Sequence, residues 1–197
     1  MKYLSFDIEA TGLEEHDLII EFAMIPFCSV THTFNDNLKR HFYIKCPSFE
    51  ELKPSLNEWV VENNEELIKK AHLEGIEIEE FKQQFSDYFE SKEVRDYFDN
   101  RLVTLFGKSM NAIDLPFLNR DLGYSYMRKY FNHRVLDLSS VAYALIDMDV
   151  LPKDCESGSI LMNHLGFGEV AHTALEDSIN TAKMYFKMLD LVKSRAS

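Results

Sequence analysis

Near its start the chain carries an apolar segment with two acids that it cannot bury unaided, Lys2-Tyr3-Leu4-Ser5-Phe6-Asp7-Ile8-Glu9-Ala10-Thr11-Gly12-Leu13. The pattern reads as a β-strand, in which successive side chains point to opposite faces. Asp7 and Glu9 then share one face, while Leu4, Phe6 and Ile8 turn mostly to the other. Two neighbouring carboxylates at the end of an apolar strand repel each other and resist desolvation, so something must compensate them. A divalent cation is the usual compensator. The alternative is an exposed edge strand whose acids are simply solvated.

The rest of the chain supplies a sheet around that strand. Leu18 to Phe27 is a second, mostly apolar strand, and His41 to Lys45 a third, joined through a turn at Asn35-Asp36-Asn37. Short connections make these three an antiparallel meander. From Ser48 the apolar period becomes helical through Ala71, and Ile78 to Phe98 predicts one amphipathic helix with Phe81, Phe85, Tyr88 and Phe89 on its core side. Trp59, the only tryptophan, is expected to pack with Leu56, Val60 and Val61, with stacking on a base as the alternative.

Leu102 to Gly107 and His133 to Leu138 are two further strands, each followed by a helical stretch. Pro116 suits the first turn of the helix after Asp114, and Gly123 suits its end. Helices are also expected over Ser139 to Met148, Ser157 to Gly166 and Thr173 to Arg195. Three strands followed by alternating strands and helices predict an α/β fold, with a mixed five-stranded sheet flanked by helices.

The 197 residues are expected to form one domain spanning 1–197, with a core large enough to need no disulfide or structural metal. The three cysteines show no C-x-x-C spacing, which points to reduced thiols. No apolar run approaches the roughly 20 residues of a membrane span, and the chain enters a strand without a signal-peptide pattern. A cytoplasmic protein without a membrane partner is the expectation. The net charge of −12 argues against a tight, non-specific binder of long duplexes, because such proteins draw affinity from Lys and Arg.

Two later segments bear on the acids of the first strand. Asp114 sits in Asn111-Ala112-Ile113-Asp114-Leu115-Pro116-Phe117-Leu118, where a strand hands over to a helix. Asp177 lies about one and a half helical turns beyond His172 in His172-Thr173-Ala174-Leu175-Glu176-Asp177, so a His172 in the preceding loop can lean over the same site. Read alone, Asp114 is equally well a helix cap, and His172 could serve a structural hydrogen bond.

These three segments, in this order, resemble the three exonuclease motifs of the DnaQ-like DEDDh 3′–5′ exonucleases, a family that includes proofreading subunits, RNase T and oligoribonuclease. The resemblance implies an RNase H-like fold, with Asp7, Glu9, Asp114 and Asp177 as metal-binding acids and His172 as the general base. It implies two divalent ions, Mg²⁺ or Mn²⁺, and hydrolysis at the 3′ end of single-stranded RNA or DNA. Ala10, Thr11 and Leu13 match positions that meet the terminal nucleotide, and Asn111 matches a further substrate position. Gly107-Lys108-Ser109 before the second motif, together with the stretch from Tyr126 to Ser139, resembles oligoribonuclease, whereas Ala112-Ile113 stands where that enzyme has Gly-Gln. A homodimer, a polymerase partner for a proofreading subunit, and a non-catalytic nucleic-acid-binding module are the other settings in which such a chain would work.

Overall fold

The computed structural model describes residues 1–168 and 173–195 and puts β1 (Lys2–Ala10) in the middle of a mixed sheet. β2 (Ile19–Cys28) runs antiparallel to it, from Lys2 opposite Cys28 to Glu9 opposite Glu21, with a register irregularity after Glu9. β3 (Thr33–Phe34) and β4 (Arg40–Tyr43) both pair with β2, one at each end. The sheet therefore has six strands, not the expected five. The connection read as a plain hairpin turn contributes its own two-residue strand, because the long β2 leaves an edge there to be paired.

Helices α1 (Phe49–Leu52), α2 (Glu58–Asn63) and α3 (Glu65–Glu74) follow, and then α4 (Ile78–Glu90) and α5 (Lys92–Tyr97). The single helix expected over Ile78 to Phe98 is thus two. Ser91 leaves helical backbone geometry, and its side chain accepts the Val94 N–H as the cap of α5.

β5 (Leu105–Gly107) then returns parallel to β1, pairing Leu4 with Leu105 and Ser5 with Phe106. It leads to α6 (Asp114–Leu118) and α7 (Tyr124–Tyr130). Between them Asn119–Gly123 continues α6 as a π-helical turn, and Gly123, at φ +96°, ends it as expected and redirects the chain into α7. β6 (Leu136–Asp137) pairs parallel with β5 and enters α8 (Leu138–Asp147), capped by Asp137. α9 (Gly158–His164) and the long α10 (Ala174–Arg195) complete the described chain.

Both faces of the sheet are covered. Leu4, Phe6 and Ile8 of β1 pack with Phe81, Phe85 and Phe89 of α4 on one side. Tyr3, Phe27 and Phe106 pack with Leu138 and Leu145 of α8 and with Ala182 and Phe186 of α10 on the other. The alternation of β1 is therefore real, and its odd-numbered face belongs to α10. No helix among the described residues is long and apolar enough to cross a membrane.

Candidate metal centre

The odd-numbered face of β1 ends in Asp7 and Glu9, and the first turn of α10 supplies Asp177. One carboxylate oxygen from each of these three residues lies within 4.8 Å of the other two. Asp114 reaches the same place by another route. Pairing between β1 and β5 stops at Ser5 and Phe106, so the Ile8 N–H extends beyond it. Asp114, the first residue of α6, is buried, and its Oδ1 accepts that N–H at 3.2 Å. All four acids line one cleft of about 680 Å³ at the carboxyl ends of the parallel strands, where open α/β sheets bind their ligands.

Three of the four acids hold their protons more tightly than usual. Burial raises the Asp7 carboxyl well above the usual carboxylate range, and the charges of Asp114, Glu9, Asp177 and Glu21 push it further. Glu9 is pushed up to about 7, by burial first and then by Asp177, Glu21 and Asp114. Asp114 also rises to about 7, chiefly through burial; hydrogen bonds from its own N–H and that of Ile8 oppose the rise, and the charge of Asp137 adds to it. Hard carboxylate oxygens gathered this closely, and reluctant to ionise together, can hold a divalent cation.

No family profile and no curated protein sequence matches the chain. Solved structures do match in fold. The crystal structure of cell-death related nuclease 4 (CRN-4) superposes with a TM-score of 0.69 at 14% identity, over 96% of this chain and 64% of that one. The nuclease domain of 3′hExo, a DEDDh family member, bound to rAMP, gives 0.65 at 17% identity, over 96% of this chain and 92% of that one. The RNase domain of the yeast Pop2 protein gives 0.67 at 17% identity, over 98% and 78%. The chain has the RNase H-like fold of the DEDDh exonucleases. It spans less than two thirds of the length of CRN-4.

In this fold the remaining expected site residues lie in different places. Ala10 and Leu13 line the cleft with the acids, and Leu13 is 72% exposed at its rim. Thr11 is buried beneath them: its hydroxyl donates to Asp17 at 3.0 Å and accepts the Leu18 N–H at 2.9 Å, while its own N–H reaches the Leu18 carbonyl. Its polar groups thus brace the loop that presents Leu13. Gly12 lets Asp17 approach, since a Cβ there would stand 2.3 Å from Asp17 Oδ2. Asn111 is exposed and lines a separate, smaller hollow with Tyr124, Arg128 and His133. His172 lies outside the described residues.

Three further residues belong with the cleft. Trp59 is 52% exposed and lines the cleft, while its neighbour Val60 takes the buried position. Glu21 is fully buried behind the acids; its Oε1 lies 2.5 Å from His41 Nε2, and its Oε2 accepts the Ala174 N–H at 3.2 Å. A lone acid inside the apolar run Ile19-Ile20-Glu21-Phe22 was the available signal. The third, Lys108, is the one cation among the described residues lining the cleft.

Proposed function

We propose that this protein is a divalent-metal-dependent nuclease that removes nucleotides from the 3′ ends of single-stranded or short nucleic acid. The observation that carries the reading is the convergence of Asp7, Glu9 and Asp177 to within 4.8 Å, with Asp114 in the same cleft. Asp7, Glu9 and Asp177 would hold one Mg²⁺ or Mn²⁺ ion, and Asp7 with Asp114 a second. When bound, such ions supply Lewis-acid stabilisation to an in-line phosphoryl displacement.

The chain's own residues do the rest. Leu13 and Trp59, both exposed at the cleft, offer apolar surfaces to a terminal base, and such stacking tolerates any base. The loop from Thr11 to Leu18 fixes Leu13 in place. His172, by its match to the family motif, is the residue to take a proton from the attacking water, a role suited to an imidazole near neutral pH. The acidic chain, with one cation in the cleft lining, favours short or frayed ends over long duplexes.

The test is a 5′-labelled single strand, of RNA and of DNA, incubated with Mn²⁺ or Mg²⁺ and then with EDTA. A ladder shortening from the 3′ end, abolished by EDTA and lowered at least about 100-fold in Asp7→Asn, is expected. Equal activity with and without chelator sinks the metal-dependent reading. Binding without cleavage under all conditions favours a non-catalytic nucleic-acid-binding module.

A further inference from the structure

Lys108 makes no hydrogen bond or ion pair with any described residue, although it stands in a cleft lined by four carboxylates. Its backbone directly follows Gly107, the last residue of β5, so the parallel β1–β5 pairing anchors it beside the acids. Its side chain lies over Gly158, the first residue of α9, where a Cβ would stand 2.4 Å from Nζ and 2.6 Å from Cε. Gly158 therefore leaves the ammonium a berth that any side chain would take away. The fold thus holds this cation at the cleft wall without neutralising it on a carboxylate among the described residues.

A strand whose 3′ end lies at the acids brings more phosphates than metal ions at the scissile linkage can compensate. On a chain of net charge −12 the next phosphate finds few cations. Resting on the nuclease reading above, we infer that Lys108 is a phosphate subsite, holding one non-scissile phosphate of the bound strand. It selects strands that carry a phosphate beyond the scissile one and adds to affinity more than to the chemical step.

The experiment compares the parent with Lys108→Gln and Gly158→Ala on 5′-labelled single strands in which one linkage at a time is a neutral methylphosphonate. Cleavage kinetics and equilibrium binding, the latter by fluorescence anisotropy, are both read. Lys108→Gln is expected to raise KM and Kd about 3- to 10-fold and to hold kcat within about two-fold. It should also lower the slope of log Kd against log salt by about 0.7, the share of one phosphate contact on a single strand. One methylphosphonate position should weaken the parent by the same factor and add nothing to Lys108→Gln. Gly158→Ala, which displaces the ammonium without removing it, should move Kd in the same direction with an unchanged or higher thermal midpoint.

Parental Kd and salt slope in Lys108→Gln, or a loss equal at every linkage, overturns the subsite. If the parent cleaves and Lys108→Gln is indistinguishable from it, the subsite falls and the nuclease reading stands. If the parent binds strands through Lys108 and cleaves none, the nuclease reading falls and the subsite stands. A parent that neither binds nor cleaves overturns both.

Discussion

The Ser5 hydroxyl donates to the Ser178 carbonyl across 2.7 Å, a strand-to-helix bond made where both residues are fully buried. Asp7 lies two residues further along β1, on the same face, and Asp177 is the residue before Ser178 on α10. The bond therefore sets the register that puts the two acids opposite each other. A small side chain at position 5 also lets the helix backbone lie close to the sheet, which a packed interior could not otherwise allow.

Ser5→Val, which adds volume and removes the donor, is expected to destabilise by about 1–3 kcal/mol through overpacking. Ser5→Ala removes only the hydrogen bond, worth about 0.5–1.5 kcal/mol. The Val variant should also weaken Mn²⁺ binding, because it lifts Asp177 away from Asp7. Denaturant unfolding and metal titration check this pair, and identical Mn²⁺ affinity in the two variants would detach the helix register from the site.

Glu21 clamps the start of α10 from the neighbouring strand, through the Ala174 N–H, and meets His41 with its other oxygen. Glu21→Gln keeps an acceptor and a polar contact; Glu21→Leu keeps neither. The Leu variant is expected to lose about 10- to 100-fold in metal affinity or activity, as outer-shell partners do, and the Gln variant to recover most of it. The charge of Glu21 raises both Asp7 and Glu9, so Glu21→Gln should move the pH midpoint of Mn²⁺ binding downwards. A midpoint that stays put in the Gln variant would show that the Glu21 charge is not felt at the cluster.

What the sequence disclosed and what it concealed follow from the range of the interactions involved. The β1 alternation is local, so its two faces could be read from Leu4, Phe6 and Ile8 against Asp7 and Glu9. The gathering of Asp114 and Asp177 is not local; a matching order of motifs suggested it, and the close approach at Ser5 and the Ile8 N–H donated to Asp114 bring it about. Trp59 looked like core because helical spacing does not say which of two adjacent apolar residues faces inward, and Val60 takes that place. The helix expected over Ile78 to Phe98 breaks at Ser91 because a serine hydroxyl can cap a new helix as readily as decorate an existing one. The Thr11 hydroxyl serves Asp17 and Leu18, partners that become visible only once the loop has closed.

Trp59 and Leu13 make a prediction that needs no radiolabel. Because Trp59 is the only tryptophan and lines the cleft, its fluorescence should change on adding a nucleoside monophosphate with Mn²⁺. Trp59→Ala is expected to weaken oligonucleotide binding by about 1–3 kcal/mol, the range for loss of one base stack, with Leu13→Ala falling at the low end of that range. Leu13→Ala should keep the parental thermal midpoint, since that side chain is 72% exposed. A large loss of stability in Trp59→Ala would instead make the ring part of the core.

The raised carboxylates fix the sign of a final prediction, the pH dependence of stability without metal. In the unfolded chain Asp and Glu lose their protons near pH 4, whereas Glu9 and Asp114 keep theirs in the fold until about 7. Between these limits the folded state binds more protons than the unfolded one, so stability falls as pH rises. The contribution is fully present below about pH 4 and gone above about pH 7 to 8. In EDTA, this pair should therefore make the thermal midpoint decline between pH 5 and 8. A carboxyl that holds its proton tenfold more tightly in the fold than in the unfolded chain contributes at most about 1.4 kcal/mol, and solvent reaching the cleft lowers that figure. About 2–4 °C accompanies each kcal/mol in a chain of this size. Mn²⁺ replaces the missing protons, so it should raise the midpoint more at pH 8 than at pH 5. In Asp7→Asn, which removes a carboxyl that burial and its neighbours also hold above its usual range, the metal-free decline should be shallower and the Mn²⁺ response smaller. Differential scanning fluorimetry over pH, with and without Mn²⁺, reads all three effects, and a midpoint that rises towards pH 8 in EDTA would contradict the assignment of raised pKa values to this cluster.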